Sequence, residues 1–249
     1  MTDTVAIAPD IHLALAIQAE GLGKSFGSRK ALDNVSFELP EQAFLSIFGH
    51  NGAGKTTLLR VLSTLARPSA GKVEVLGLDV REKPEELRSR IGLISHRSML
   101  YPDLTAEENL LFTARMYGVQ NPKARVSELL ELVELTARRH DPVRGFSRGM
   151  TQRIAIARAL VPDPALLFLD EPYSGLDPHA VEILDRLLER LRFGKNLVMI
   201  SHDLNHGFAL ATHLLVLAQG KVALFTERDE LDVRSFREFY RNSVGAGGI

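Results

Sequence analysis

The sequence predicts an α/β protein: a parallel sheet covered by helices on both faces, with a small antiparallel β region and a helical insertion subdomain. Three observations carry the parallel sheet. Short apolar runs of strand length alternate with helical patterns in both halves of the chain, as in sheets whose strands are joined by crossover helices. One such run, residues 43–48, passes through a Gly-rich turn straight into a helical pattern. Another, residues 166–169, ends in two adjacent carboxylates, Asp170 and Glu171.

Composition narrows the classes. The 249 residues are 45% apolar and 24% charged, ordinary values for a soluble globular chain. Lys and Arg number 30 against 31 Asp and Glu, a net charge of −1. That balance offers no general attraction to nucleic acid or anionic lipid, so no nucleic acid partner is expected. The absence of cysteine excludes disulfides, thiolate metal sites and a Cys nucleophile. The N-terminus, MTDTVAIAPD, is acidic and does not read as a secretory signal. No window approaches the ~20 consecutive apolar residues of a membrane-spanning helix. The apolar stretch 208–219 is short and interrupted by His213. Contact with a membrane would therefore come through a partner.

Residues 1–16 carry little pattern and read as a leader. Residues 17–48 read as short strands, with Gly21-Leu22-Gly23 as a turn. Residues 35–39 alternate apolar and polar, as a half-exposed strand does. Residues 43–48 are almost wholly apolar, as in a buried parallel strand. A helix is expected over 55–66, a break at Arg67-Pro68-Ser69-Ala70-Gly71, and a strand over 73–76. Residues 95–150 differ in character and read as the helical insertion. Thr105 and Glu108 form a capping box ahead of Leu110, Leu111 and Phe112. A helix over 123–133 places Leu129, Leu130 and Val133 on one face, and Arg138-Arg139-His140 reads as a solvated helix end. The alternation then resumes. Helices are expected over 149–160 and 178–191, the latter with Pro178 in its first turn. Strands are expected over 166–169, 196–200, 214–218 and 221–225. Residues 17–94 and 151–225 thus form the core, and 226–249 a closing helix over 230–244 with a frayed tail.

The turn Gly49-His50-Asn51-Gly52-Ala53-Gly54-Lys55-Thr56 matches the phosphate-loop pattern in full, with strand before it and helix after it. Glycines let the backbone wrap closely around phosphate oxygens. The loop amides and the helix N-terminus form an anion site. Lys55 would reach the β- and γ-phosphates, and the Thr56 hydroxyl would ligate Mg²⁺. The core is therefore expected to be that of a P-loop NTPase, and the family resemblance given next implies its RecA-like form. Asp170, at the carboxyl end of a buried strand, lies where open α/β sheets bind ligands and would hold Mg²⁺. Glu171, pointing the other way along the strand period, would polarise an attacking water as general base.

Further segments add a family. Phe146-Ser147-Arg148-Gly149-Met150, followed by Thr151-Gln152-Arg153, resembles the signature segment of the ATP-binding cassette (ABC) proteins. Ser174-Gly175-Leu176-Asp177 resembles their D-loop, and Ser201-His202-Asp203 their switch-histidine segment. Phe26 resembles the aromatic residue that stacks on adenine. The resemblance spans residues 17–225, in the family's order. It implies ATP and Mg²⁺ as ligands, with Phe26, Gly49, Asn51, Gly52, Ala53, Gly54, Lys55, Thr56 and Thr57 around the nucleotide. It implies that two cassettes, identical or not, dimerise head-to-tail, so that Ser147, Gly149 and Met150 meet the partner's ATP. Glu171, His202 and Lys55 would be catalytic. It also implies transmembrane permease subunits as partners, with 95–150 as the docking region and a location on the inner face of the membrane.

Three positions depart from the general pattern. Arg148 replaces a signature glycine and Met150 a glutamine. His96 stands where a glutamine usually links the metal and the attacking water to the membrane subunit, and so is expected at the metal. Ser95-His96, residues 104–110 and residues 146–150 together resemble the ATPase of the haem-exporter type, which acts in cytochrome c biogenesis. Exporters of drugs, lipids or polysaccharides share a similar short cassette. A soluble mechanochemical ABC protein would usually carry a coiled-coil insertion or two cassettes, and neither is present. A cassette that binds ATP without turnover would not be expected to keep Lys55, Asp170, Glu171 and His202.

Overall fold

The computed structural model describes residues 14–95 and 98–245. Expectations for residues 1–13, His96 and residues 246–249 lie outside these. The chain opens with β1 (Leu15–Phe26) and β2 (Arg29–Pro40), which pair antiparallel, and then enters β3 (Phe44–Phe48). Helix α1 (Lys55–Leu62) follows, then β4 (Ala70–Val75), β5 (Leu78–Asp79), α2 (Pro84–Arg90) and β6 (Ile91–Ile94). Next come α3 (Ala106–Met116), α4 (Pro122–Leu132), α5 (Arg148–Leu160) and β7 (Leu166–Asp170). The chain ends with α6 (Pro178–Arg192), β8 (Asn196–Ile200), α7 (Leu204–Leu210), β9 (His213–Ala218), β10 (Lys221–Glu227) and α8 (Val233–Gly245).

Two sheets result. The smaller is antiparallel, in the order β2-β1-β4-β5. The larger runs β10-β9-β3-β8-β7-β6, parallel throughout except for β10 at its edge. Every residue of β3 and β8 is buried, as strands covered on both faces must be. One face, with Leu45, Ile47, Phe168 and Val198, packs on α1 and the small sheet. The other, with Phe44, Leu167, Leu169 and Met199, packs on the insertion helices and α6. The α/β core, the antiparallel region and the helical insertion are thus all present.

Several local expectations change. Strand β1 already begins at Leu15, within the expected leader. Gly21-Leu22-Gly23 is not a turn: it lies inside β1, where the register shifts and Gly21 takes a φ of 59°. A bulge keeps the strand going where a turn would end it. Helix α1 stops at Leu62 rather than Ala66, because the chain turns left-handed at Thr64, φ 63°. The capping box forms as expected: Thr105 Oγ1 accepts from the Glu108 amide at 3.1 Å, and Glu108 accepts from the Thr105 amide at 2.8 Å. In Arg138-Arg139-His140 the outer two side chains are exposed, as expected, and only Arg139 is half-buried, reaching Glu107 in the first turn of α3 at 2.5 Å.

Helix α8 closes the molecule on the β3 side. Phe236 is fully buried, with its ring centroid 5.1 Å from that of Phe48 and 5.4 Å from that of Phe208. Tyr240 stands beside it, its ring centroid 6.4 Å from that of Phe236 and 6.5 Å from that of Phe48. The aromatic face of α8 therefore supports both the root of the phosphate loop and α7.

Candidate functional site

The site forms where β3, β7 and β8 end, at the carboxyl edge of the parallel sheet, the usual ligand edge of open α/β folds. Strand β3 delivers Gly49 and the loop. Gly49 sits at φ 150°, and a Cβ there would lie 2.4 Å from the Leu217 carbonyl oxygen. Gly54 sits at φ 107°, and its Cβ would lie 2.7 Å from the Ala31 carbonyl oxygen. Both positions admit only glycine, by conformation and by space. The loop amides that precede α1 are thereby held close to the small sheet.

Lys55 is buried, and its ammonium donates to the Gly49 and His50 carbonyl oxygens at 2.7 and 3.0 Å. Burial pushes its pKa below the usual lysine value, while the Glu171 and Asp170 carboxylates pull it back up. A desolvated cation in reach of two loop carbonyls is placed to gain from a polyanion. The cleft outside it measures about 370 Å³. It is lined by Phe26, Asn51, Gly52, Gly54, Lys55, Thr56, Thr57 and Glu171, with Arg29 and Ala31 in addition. Gly49 and Ala53 lie beneath the loop, Ala53 buried. Phe26 is 52% exposed, its ring capped by the Lys24 ammonium at 4.8 Å, so one aromatic face is open at the cleft rim.

Glu171 differs in how it is placed. It lies one residue beyond β7 in the left-handed region, φ 54°, so a backbone kink aims it and strand alternation does not. Non-glycine residues in that region carry strain that the surroundings must hold. Its amide still donates to the Ile200 carbonyl oxygen at 3.1 Å. Its carboxylate Oε1 accepts from His202 Nε2 at 2.8 Å. A carboxylate has no proton to give at neutral pH, so Nε2 carries it. The motif spacing indicates both residues; their direct contact follows only from β7 and β8 being neighbours.

The metal fit rests on donor chemistry. Among the described residues no three His, Asp or Glu side chains group as a metal cage. The Thr56 hydroxyl and Asp170 carboxylate are hard oxygen donors, suited to Mg²⁺ shared with phosphates and water. His96 lies outside the described residues.

The signature residues sit apart from this cleft. Ser147 is exposed and caps α5, its Oγ accepting from the Met150 amide at 3.2 Å. Gly149 is buried, and a Cβ there would lie 2.6 Å from the Ala180 Cβ. Glycine at 149 is thus required by the approach of α5 to α6. Met150 is half-buried against the insertion core. The Arg148 guanidinium lies on the Cα face of Gly175, where a Cβ would come within 2.3 Å of it. Three residues near the site were not indicated by any motif: Arg29 on the cleft wall, and Tyr173 and His206 beside Glu171 and His202. Motif spacing reads a few fixed positions, and these are brought in by packing.

Comparison with known proteins bears on the family and the fold. A family model described as ABC transporter matches residues 32–174. The chain is 37% identical over 219 residues to the daunorubicin resistance ATP-binding protein DrrA3 of Streptomyces coeruleorubidus, covering 87% of this chain and 69% of that protein. It is 35% identical over 209 residues to the Nod factor export ATP-binding protein I of Paraburkholderia xenovorans (strain LB400), covering 83% and 69%. Among solved structures it is similar to the cassette MJ0796, in a dimeric post-hydrolysis state bound to ADP and Pi. The TM-score is 0.77 at 28% identity, covering 85% of this chain and 98% of that one.

Proposed function

The chain belongs to the ABC transporter family as an ATP-hydrolysing cassette, and from that premise we propose that it powers export through a membrane permease. One observation carries the proposed chemistry. Lys55, Thr56 and Glu171 line a single cleft, and Glu171 is held by His202 at 2.8 Å.

In this reading the loop amides and Lys55 bind the phosphates of ATP, and Phe26 stacks on the base. Thr56 and Asp170 would hold Mg²⁺, which when bound neutralises phosphate charge. Glu171 takes a proton from the attacking water. His202 fixes the carboxylate through Nε2–H and leaves its second oxygen for that water. Lys55 balances charge that builds on the phosphoryl oxygens.

Ser147 and the α5 N-terminus form a second anion site, and they do not line the P-loop cleft. Their contact with nucleotide needs a second cassette, and the similar MJ0796 structure is a dimer. ATP would then favour the closed pair, and hydrolysis would release it.

The permease surface is the apolar patch of the insertion and its edge. Leu65, Met99, Tyr101, Phe112, Met116 and Tyr117 are all exposed, between 42% and 70%. Grouped exposed apolar side chains mark partner sites. An apolar helix end from a permease fits there and places the cassette on the inner face of the membrane. Export as the direction rests on the relatives named for drug resistance and Nod factor export. Haem as cargo is the narrower reading and rests on the likeness of Ser95-His96, residues 104–110 and residues 146–150 to haem-exporter ATPases, while the relatives above are named for drug resistance and Nod factor export.

Glu171→Gln tests the chemistry. The variant should bind ATP with near-normal affinity, lose turnover by at least ~10²-fold, and accumulate as an ATP-bound dimer on size exclusion. Normal ATPase activity in it would overturn the assignment of Glu171.

A further inference from the structure

Behind the Glu171–His202 contact lies a recess of about 320 Å³. One of its walls is a closed set of side chains that the proposed chemistry does not use. Tyr173 stands two residues after Glu171, in the loop from β7 to α6. His206 stands on α7, in the first turn after the Asp203 cap, and His202 lies in the loop just before that cap. Their rings stack, with centroids 5.1 Å apart and planes 22° apart. Both reach the same carboxylate. The Tyr173 phenol donates to Asp185 Oδ1 at 2.6 Å, and His206 Nδ1 lies 3.4 Å from Asp185 Oδ2.

Asp185 is on α6, which belongs to neither catalytic segment. It therefore joins, through one side chain, the loop that carries Glu171 and the helix that follows His202. The contacts close a ring: Glu171 to His202 at 2.8 Å, along α7 to His206, to Asp185, to Tyr173, and back along the loop to Glu171. We propose that Asp185 is a positioning residue for hydrolysis, and that Tyr173 and His206 are the two arms through which it sets the Glu171–His202 geometry. The inference rests on Glu171 and His202 being the catalytic pair.

Physical reasons favour a positioning role. Glu171 is in the left-handed region, so its aim depends on support from the chain that follows it. Tyr173 is the second residue of that chain, and its phenol is tied at one end and stacked along its face. Burial pushes the Tyr173 pKa well up, and the Asp185 carboxylate adds to this, so the phenol keeps the proton it donates. On the other side, Asp203 caps α7, accepting from the Asn205 and His206 amides at 2.7 and 3.2 Å. The cap sets where α7 starts. The link from His206 to Asp185 sets how the helix is turned about its axis, and His202 stands just ahead of the Asp203 cap, where the start of that helix carries it.

The test is steady-state ATPase kinetics on the full chain, with ATP affinity and the unfolding midpoint measured on each variant. Asp185→Ala should lower kcat about tenfold, the scale of a small misplacement of a reacting group. KM and ATP affinity should stay within about twofold, because Asp185 does not line the P-loop cleft. Asp185→Glu should recover part of kcat. Tyr173→Phe keeps the stack and removes one hydroxyl, so it folds as wild type and isolates one arm. It should lose less than Asp185→Ala, and combining it with Asp185→Ala should cost nothing more. Unchanged kcat in Tyr173→Phe and Asp185→Ala, with Glu171→Gln inactive, would overturn the positioning role alone. A fall in ATP affinity that matches the fall in kcat would overturn it too, by showing a general loosening of the fold. Full activity in Glu171→Gln would instead remove the catalytic reading on which the ring depends.

Discussion

His213 shows how a single buried group sets a pH response. It opens β9, half-buried, stacked on Phe225 with centroids 6.0 Å apart, and Thr212 Oγ1 lies 3.0 Å from its Nδ1. Burial lowers its pKa below the usual histidine value of 6.5, against the smaller upward pull of Glu227 and Glu230. The unfolded chain therefore takes up a proton at higher pH than the folded one. Above the unfolded pKa neither state is protonated and His213 has no effect. As pH falls below it, the unfolded state binds the proton first and stability falls until the folded pKa is passed. Urea unfolding midpoints should thus drop as pH falls through about 6.5, the unfolded value, and His213→Gln should drop less. Equal drops in the two proteins would show that His213 does not carry the effect. At the same scale, Glu171 and His202 were legible from the Asp-Glu and Ser-His-Asp segments. The kink that aims Glu171 was not, because a left-handed Glu has no sequence signal of its own.

Elements divide in the same way. Strands β3 and β7 to β10 of the central sheet and helices α4 to α6 fall within about two residues of their expected bounds, since apolar runs and caps mark them. Strand β6, helix α2 and helix α7 carry no such pattern. Each is seven residues or fewer and is held by its neighbours. Helix α8 was expected only as a closing helix, yet it supports the phosphate loop through Phe236 and Tyr240. Phe236→Ala should cost about 3–5 kcal/mol as a large-to-small change in a packed core. At about 2–4 °C per kcal/mol for this chain length, the thermal midpoint should fall by about 10 °C. ATP affinity should weaken with it, because Phe48 leads directly into Gly49. An unmoved midpoint would show that α8 is not part of the cooperative fold.

For the whole molecule the question is what it works with. The ATP cleft and the Ser147 anion site are separate within one chain, and the insertion presents an apolar patch. Under the proposed function the first calls for a second cassette and the second for a permease. A tagged chain pulled from detergent-solubilised native membranes should bring a membrane protein with it, identified by mass spectrometry. Cytochrome c biogenesis subunits would establish haem export, and another permease would keep the transporter reading and replace the cargo. Recovery of ribosomal or DNA-repair proteins with no membrane protein would overturn it. Substitution of Met116 and Phe112 by polar residues serves as the control for the docking patch.

By itself the sequence determined the class of fold and the ATP-hydrolysing family, and it marked the segments of the candidate site. The phosphate loop, the Asp170-Glu171 strand end and the His202 segment are local patterns, written in consecutive residues because backbone shape and hydrogen bonding act over a few positions. Tertiary structure alone decided what those patterns touch. It brought Glu171 to His202 across 31 residues, placed Gly149 against Ala180, laid Arg148 on Gly175, and joined Tyr173 and His206 through Asp185. Those contacts depend on which strands lie side by side and how closely the helices approach. Packing of distant apolar faces settles both, and no local pattern records it.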